Sequence, residues 1–94
     1  MNLPGNSVEI LLTRNQAAQE LGVSLRMFYN YFDAASLHLP SMKRFRAKTG
    51  GLNPSMSLSN WDIPTLKKVQ HSFRKYGELE ACRHMAENPE HYEN

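Results

Sequence analysis

The strongest constraint on this chain is a three-residue stop, Gly22-Val23-Ser24, set between two runs that each read as a short helix. Thr13 opens the first run, with Gln16 at the return position of a capping box, so two orphan N–H groups of the first turn can be satisfied locally. Ala17, Ala18 and Leu21 supply its apolar side, and the small alanines let a second helix approach closely. Gly22 suits the left-handed position that ends a helix, where a β-carbon is penalised. Val23 can plug the corner, and Ser24 is a good N-cap for the second run.

The second run, Leu25 to Phe32, sorts its residues by face. Leu25, Phe28 and Phe32 fall together at helical spacing, and Arg26, Tyr29, Asn30 and Asp33 fall opposite. One face can bury. The other offers a guanidinium, a phenol and an amide, chemistry suited to phosphates and base edges. Two helices at a tight turn, the second carrying that outward face, form the layout of a helix-turn-helix whose second helix reads DNA. The plainer alternative is a helical hairpin with no nucleic-acid role.

Charge distribution favours the first reading. The 94-residue chain carries a net charge of +2. Between Arg14 and Tyr76 there are ten Lys and Arg against three acids, Glu20, Asp33 and Asp62, a balance of +7. From Gly77 onward five Glu face one Arg, a balance of −4, and Glu9 supplies the remaining −1. A basic body with an acidic end fits a polyanion-binding domain better than the total does. The single cysteine, Cys82, excludes an internal disulfide framework. The longest aliphatic run is Ile10-Leu11-Leu12, too short for a membrane span, and the first residues lack a signal-peptide pattern. A cytoplasmic, nucleoid-associated protein is the resulting expectation.

Residues 1–12 are expected to form an N-terminal arm, 13–88 one domain and 89–94 a flexible tail. Within the arm, 1–7 reads as a loose leader and Val8 to Leu12 as a short strand or extended segment. Asp33 to Leu39 reads as a short helical or irregular connection closed by Pro40. The run Met42 to Lys48, with Lys43, Arg44, Arg46 and Lys48, ends in Thr49-Gly50-Gly51 and predicts one arm of a β-hairpin, the return arm being Leu52 to Leu58. A solvated loop is the competing reading. A third helix follows, with Asp62 as N-cap, Pro64 in its first turn and a stripe of Ile63, Leu66, Val69, Phe73 and Tyr76. Trp61 is expected to staple it to the core. Lys67, Lys68, Arg74 and Lys75 lie off the stripe. After Gly77 a last helix, Glu78 to Glu87, is expected to turn Leu79, Cys82 and Met85 or Ala86 inward. The expected fold is mainly α with a small β-hairpin: about four helices plus a wing.

This pattern resembles the winged-helix DNA-binding domain of the MerR family. The likeness rests on Ala18, Gly22-Val23-Ser24, Arg26 and Tyr31, on Leu39-Pro40 at the exit of the second helix, and on Asp62-Ile63, Leu66, Val69, Phe73-Arg74 and Gly77 after the wing. It spans about Thr13 to Glu87. Where the family commonly carries a second arginine, this chain has Tyr29. The resemblance implies a winged helix-turn-helix that binds DNA; it implies no sensing of metal or drug.

The expected function is sequence-preferring binding of double-stranded DNA, by a transcriptional regulator or a phage, plasmid or chromosome-maintenance factor. Arg26 suits guanine O6 and N7, and Asn30 suits adenine. Tyr29 and Tyr31 suit phosphate oxygens, with Tyr31 half in the core. Lys43, Arg44, Arg46 and Lys48 would grip the backbone. Ser24 and the helix start at Thr13–Arg14 complete the expected contacts. Two alternatives are a protein-interaction module on the same fold, with Met27, Tyr29 and Tyr31 as its patch, and an excisionase-like factor that bends DNA. Homodimerisation, on DNA or through a C-terminal segment missing from this sequence, is a further hypothesis. No nucleophile–base set, paired acids or phosphate loop indicates an enzyme. His38, His71, Cys82, His84 and His91 do not make a metal set at recognisable spacing, and no cofactor, small-molecule effector or membrane partner is expected.

Overall fold

The structure is a computed structural model and describes residues 8–93; the expected leader, 1–7, and Asn94 lie outside them. The chain is mainly helical: α1 (Arg14–Leu21), α2 (Leu25–His38), α3 (Ile63–Tyr76) and α4 (Glu78–Glu87), with strands β1 (Leu11–Leu12) and β2 (Leu58–Ser59) paired antiparallel. Short 3-10 helices occupy Pro40–Phe45, Asn60–Asp62 and Pro89–His91.

Local chemistry sets the first turn as the residues dictate. Thr13 Oγ1 accepts from Gln16 N–H at 3.0 Å, and Thr13 N–H donates to Gln16 Oε1 at 2.8 Å. Gly22 closes α1 with φ 72°, a left-handed conformation that only glycine adopts without cost. Ser24 Oγ accepts from Met27 N–H at 3.2 Å and starts α2. Ala17, Ala18 and Leu21 are buried, so α1 lies close against α2. Gln70 Nε2 donates to the Leu21 carbonyl at 2.9 Å and ties α3 to the end of α1.

Three elements narrow or depart from expectation. First, Asp33 to His38, expected as a helical or irregular connection, is helical and continues α2 without a break past Phe32. Ala34, Ala35 and Ser36 are buried along it, and nothing breaks the helix before Leu39-Pro40. Second, Lys43 to Phe45 is not a hairpin arm. Pro40 opens a 3-10 helix whose two inward residues, Met42 and Phe45, are three apart and both buried; a 3-10 turn aligns that spacing. Hairpin pairing is confined to one bridge, Arg46 with Leu52, around a turn in which Gly50 and Gly51 take φ 90° and 71°. The arm expected to return to the basic run pairs instead with the N-terminal strand, Leu12 opposite Leu58. Third, the tail is docked. Tyr92 is 2 % exposed; its hydroxyl lies 2.8 Å from Ser72 Oγ and 2.6 Å from His84 Nδ1, and Thr65 Oγ1 donates to its carbonyl at 2.9 Å.

The core gathers Phe28, Tyr31 and Phe32 of α2, Leu39, Met42 and Phe45 after it, Leu58, then Leu66 and Val69 of α3 and Met85 of α4. Phe32 sits at its centre, its ring centroid 5.3 Å from that of Phe28 and 5.0 Å from that of Phe45. Trp61 is 53 % exposed and Leu79 77 % exposed; of the residues expected inward on α4, Met85 is buried and Cys82 half-buried, and Ala81 takes the place of Leu79. Asp62 caps no N–H of α3. Its Oδ2 accepts from Ser59 N–H at 2.9 Å, closing the capping box of the preceding 3-10 turn.

Burial pushes the Tyr92 phenol above its ordinary value of 10.0, against a smaller opposing effect of the Ser72 hydrogen bond. The unfolded chain therefore releases this proton first as pH rises, so stability present below about pH 10 falls above it. Burial, then Glu78 and Asp33, likewise raise the Cys82 thiol from 9.0, with the same sign. Thermal melts from pH 8 to 11 should show declining stability, with a shallower decline in Tyr92→Phe. An equal decline in that variant would remove Tyr92 as a cause.

Candidate nucleic-acid interface

The outward face of α2 carries Arg26 and Asn30 one turn apart, both exposed. Among the described residues Arg26 has no charged or hydrogen-bonded partner, and Asn30 Nδ2 makes only a 3.7 Å contact with Met27 Sδ. Phe28 and Phe32, fully buried on the other side, fix the rotation of the helix and so the direction of these two side chains.

Tyr31 does not share that face. It is 2 % exposed and meets Phe73 edge to face at 5.0 Å, supporting α2 from inside; the expectation of a phosphate contact is corrected accordingly. Tyr29 is half-buried, its ring 5.7 Å from Phe28. Ser24 is exposed, but its hydroxyl is engaged in the N-cap.

Arg14 is a clamp. Its guanidinium donates to the carbonyls of Asn53 at 2.9 Å and Met56 at 3.2 Å, and lies 5.2 Å from the Phe32 ring centre and 5.9 Å from that of Tyr29. This holds the loop after the turn against α1 and α2, and leaves Arg14 committed to the fold rather than open to a phosphate. Sequence offers no signal for it, because the acceptors are main-chain carbonyls about forty residues away.

The basic run divides. Arg46 reaches α2: its Nη1 donates to Asp33 Oδ1 at 2.8 Å and Ser36 Oγ at 3.0 Å, while Ser36 Oγ donates to the Asp33 carbonyl at 2.8 Å. Asp33 lies on the same stripe as Arg26 and Asn30, so this pair neutralises the one acid there and anchors the base of the 46–52 turn beside the outward face. Lys48 is exposed at that turn. Arg44 goes elsewhere, pairing with Asp62 Oδ1 at 2.7 Å, donating to the Ser41 carbonyl and lying 4.2 Å over the Phe45 ring. Lys43 is exposed, with no side-chain hydrogen bond or ion pair among the described residues. Of the four cations expected on one flap, Arg46 is thus tied to α2, Lys48 is exposed on the turn that Arg46 anchors, and Arg44 is turned to the start of α3.

A groove of about 470 Å³ runs beside this face, between the start of α1, Leu25 and Tyr29 of α2, and the loop at Pro54 to Leu58. Among the described residues no three His, Cys, Asp or Glu side chains gather where a metal could sit, and no helix is long and apolar enough to cross a membrane. Comparison with family models, curated proteins and solved structures finds no match to this chain.

Proposed function

We propose that the chain is a winged helix-turn-helix domain of MerR-like type that binds double-stranded DNA, with α2 in the major groove and the 46–52 turn against the adjacent backbone. The observation that carries this reading is the exposed pair Arg26 and Asn30, the first with no polar partner among the described residues and the second with only a 3.7 Å contact to Met27 Sδ, on one face of a helix locked by its buried aromatics. Arg26 serves as a bidentate donor to guanine and Asn30 as a donor–acceptor pair for adenine. Lys48 and Lys43 supply non-specific attraction, and Arg46 acts by holding the turn in place. The role is that of a regulator or a phage, plasmid or chromosome-maintenance factor, non-enzymatic, with dimerisation on DNA extending a short site.

Selection of preferred duplexes from a random pool, followed by footprinting, tests the reading: a recovered motif protected by the protein supports it, and an unenriched pool overturns it. The salt dependence follows from the ion pairing. With Arg44 and Arg46 engaged by carboxylates and Arg26 given to a base, the two cations left for this face, Lys43 and Lys48, each meeting one phosphate, give a log–log slope of about −1.8. A slope near zero would remove the electrostatic argument; one near about −3.6 would mean that the paired arginines also leave their acids for the backbone.

A further inference from the structure

A second basic surface lies away from α2. On α3, Ile63, Leu66 and Val69 are buried toward the core and Phe73 meets Tyr31, while Lys67, Lys68, His71 and Lys75 occupy the other side. Together with His84 of α4 and His91 and Tyr92 of the docked tail, they line a cleft of about 500 Å³. That volume falls within the range of small-molecule sites. Its lining holds three lysines and three histidines and no carboxylate. Among the described residues none of the three lysines is paired with an acid, whereas Arg44, Arg46 and Arg83 all are.

The cleft also has a fixed floor and an aromatic wall. Tyr92 hydroxyl joins buried Ser72 at 2.8 Å to His84 Nδ1 at 2.6 Å, which orients the His84 ring and leaves Nε2 as its remaining polar atom. The Tyr76 and His84 rings lie 5.5 Å apart at 31°, with Lys75 Nζ 5.3 Å from the Tyr76 ring centre. Ammonium groups recognise phosphate as point charges, and a tilted ring pair offers a surface for a planar group.

We propose that this cleft binds an organic phosphate of nucleotide size, its phosphates at Lys67, Lys68 and Lys75 and its ring against Tyr76 and His84. The site is separate from the proposed DNA-reading face and does not rest on it. The full chain is titrated with ADP, inorganic pyrophosphate, adenosine and a random-sequence duplex while backbone and histidine-ring NMR signals are followed. ADP is expected to move the signals of His71, His84, His91 and Tyr92 and to bind more tightly than pyrophosphate or adenosine. Lys68→Glu combined with Lys75→Glu should weaken ADP at least about tenfold, and Arg74→Glu, on α3 but outside the cleft, much less. Three results overturn the proposal: ADP shifts spread equally to the Lys48 turn, pyrophosphate binding as tightly as ADP, or cleft signals that respond to the duplex and not to ADP. The wild-type shifts decide the matter even if the double variant is unstable.

Discussion

Phe32→Ala is expected to lower the free energy of unfolding by about 3–5 kcal/mol, read from a urea titration. The ring is fully buried and is the point where three parts of the chain meet: Phe28 within α2, Phe45 from the 3-10 helix after it, and the Arg14 guanidinium from α1. Removing it opens a cavity bounded by elements that cannot all collapse inward, because Arg14 is also held by the carbonyls of Asn53 and Met56. A domain of this size has only about 5–14 kcal/mol in all, so the variant should be close to unfolding at ordinary temperature. Leu79→Ala is the control. Sequence spacing puts Leu79 in the core, but it is largely exposed, and its loss should stay within about 0.5 kcal/mol. Equal effects of the two substitutions would contradict the packing described above.

Arg26→Ala should weaken binding to a selected duplex by about 1–3 kcal/mol, roughly five- to 150-fold, and flatten preference at one base position. Its side chain is exposed and makes no hydrogen bond or ion pair among the described residues, so the melting temperature should hold while affinity falls. Lys48→Ala makes the contrast: it should weaken every duplex about equally and reduce the salt slope by about 0.9. If Arg26→Ala binds its selected site as well as the parent chain, α2 is not the reading helix. Asp33→Ala is a less direct perturbation, since it removes the carboxylate partner of Arg46 and leaves the base of the turn held to α2 through Ser36.

What could be read from sequence was the local chemistry. Thr13, Gln16, Gly22 and Ser24 each act within four residues of themselves, three through side-chain caps and Gly22 through the left-handed conformation that its missing β-carbon permits. The outward placement of Arg26 and Asn30 follows from helical spacing alone. The basic run misled because Gly50-Gly51 does mark a tight turn, which suggested straight arms on both sides. Pro40 and the three-residue spacing of Met42 and Phe45 fit the 3-10 turn observed, a signal that neither a hairpin arm nor a solvated loop uses. Ion pairing was beyond reach: nothing in Lys43 to Lys48 says that Arg44 meets Asp62 while Arg46 meets Asp33, because those partners are brought near only by the packed fold. The lysines of α3 were visible as residues off an apolar stripe. Their meaning needed Tyr92, which composition assigned to a free polar end and which docks against Ser72 and His84.

The brevity of the paired strands bears on how the molecule avoids sticking to itself. Asn60 occupies the backbone facing it, with Ile10 N–H donating to its Oδ1 at 2.7 Å and its Nδ2 donating to the Val8 carbonyl at 3.0 Å. By strand alternation the opposite edge belongs to Glu9, Leu11 and Thr13, and Thr13 already spends both main-chain groups on α1. Among the described residues only two on that edge, Glu9 and Leu11, are left to template a third strand, one of them charged. The aliphatic side chains of Val8, Ile10 and Leu11 can therefore stand in water without recruiting a neighbour edge to edge into a growing sheet.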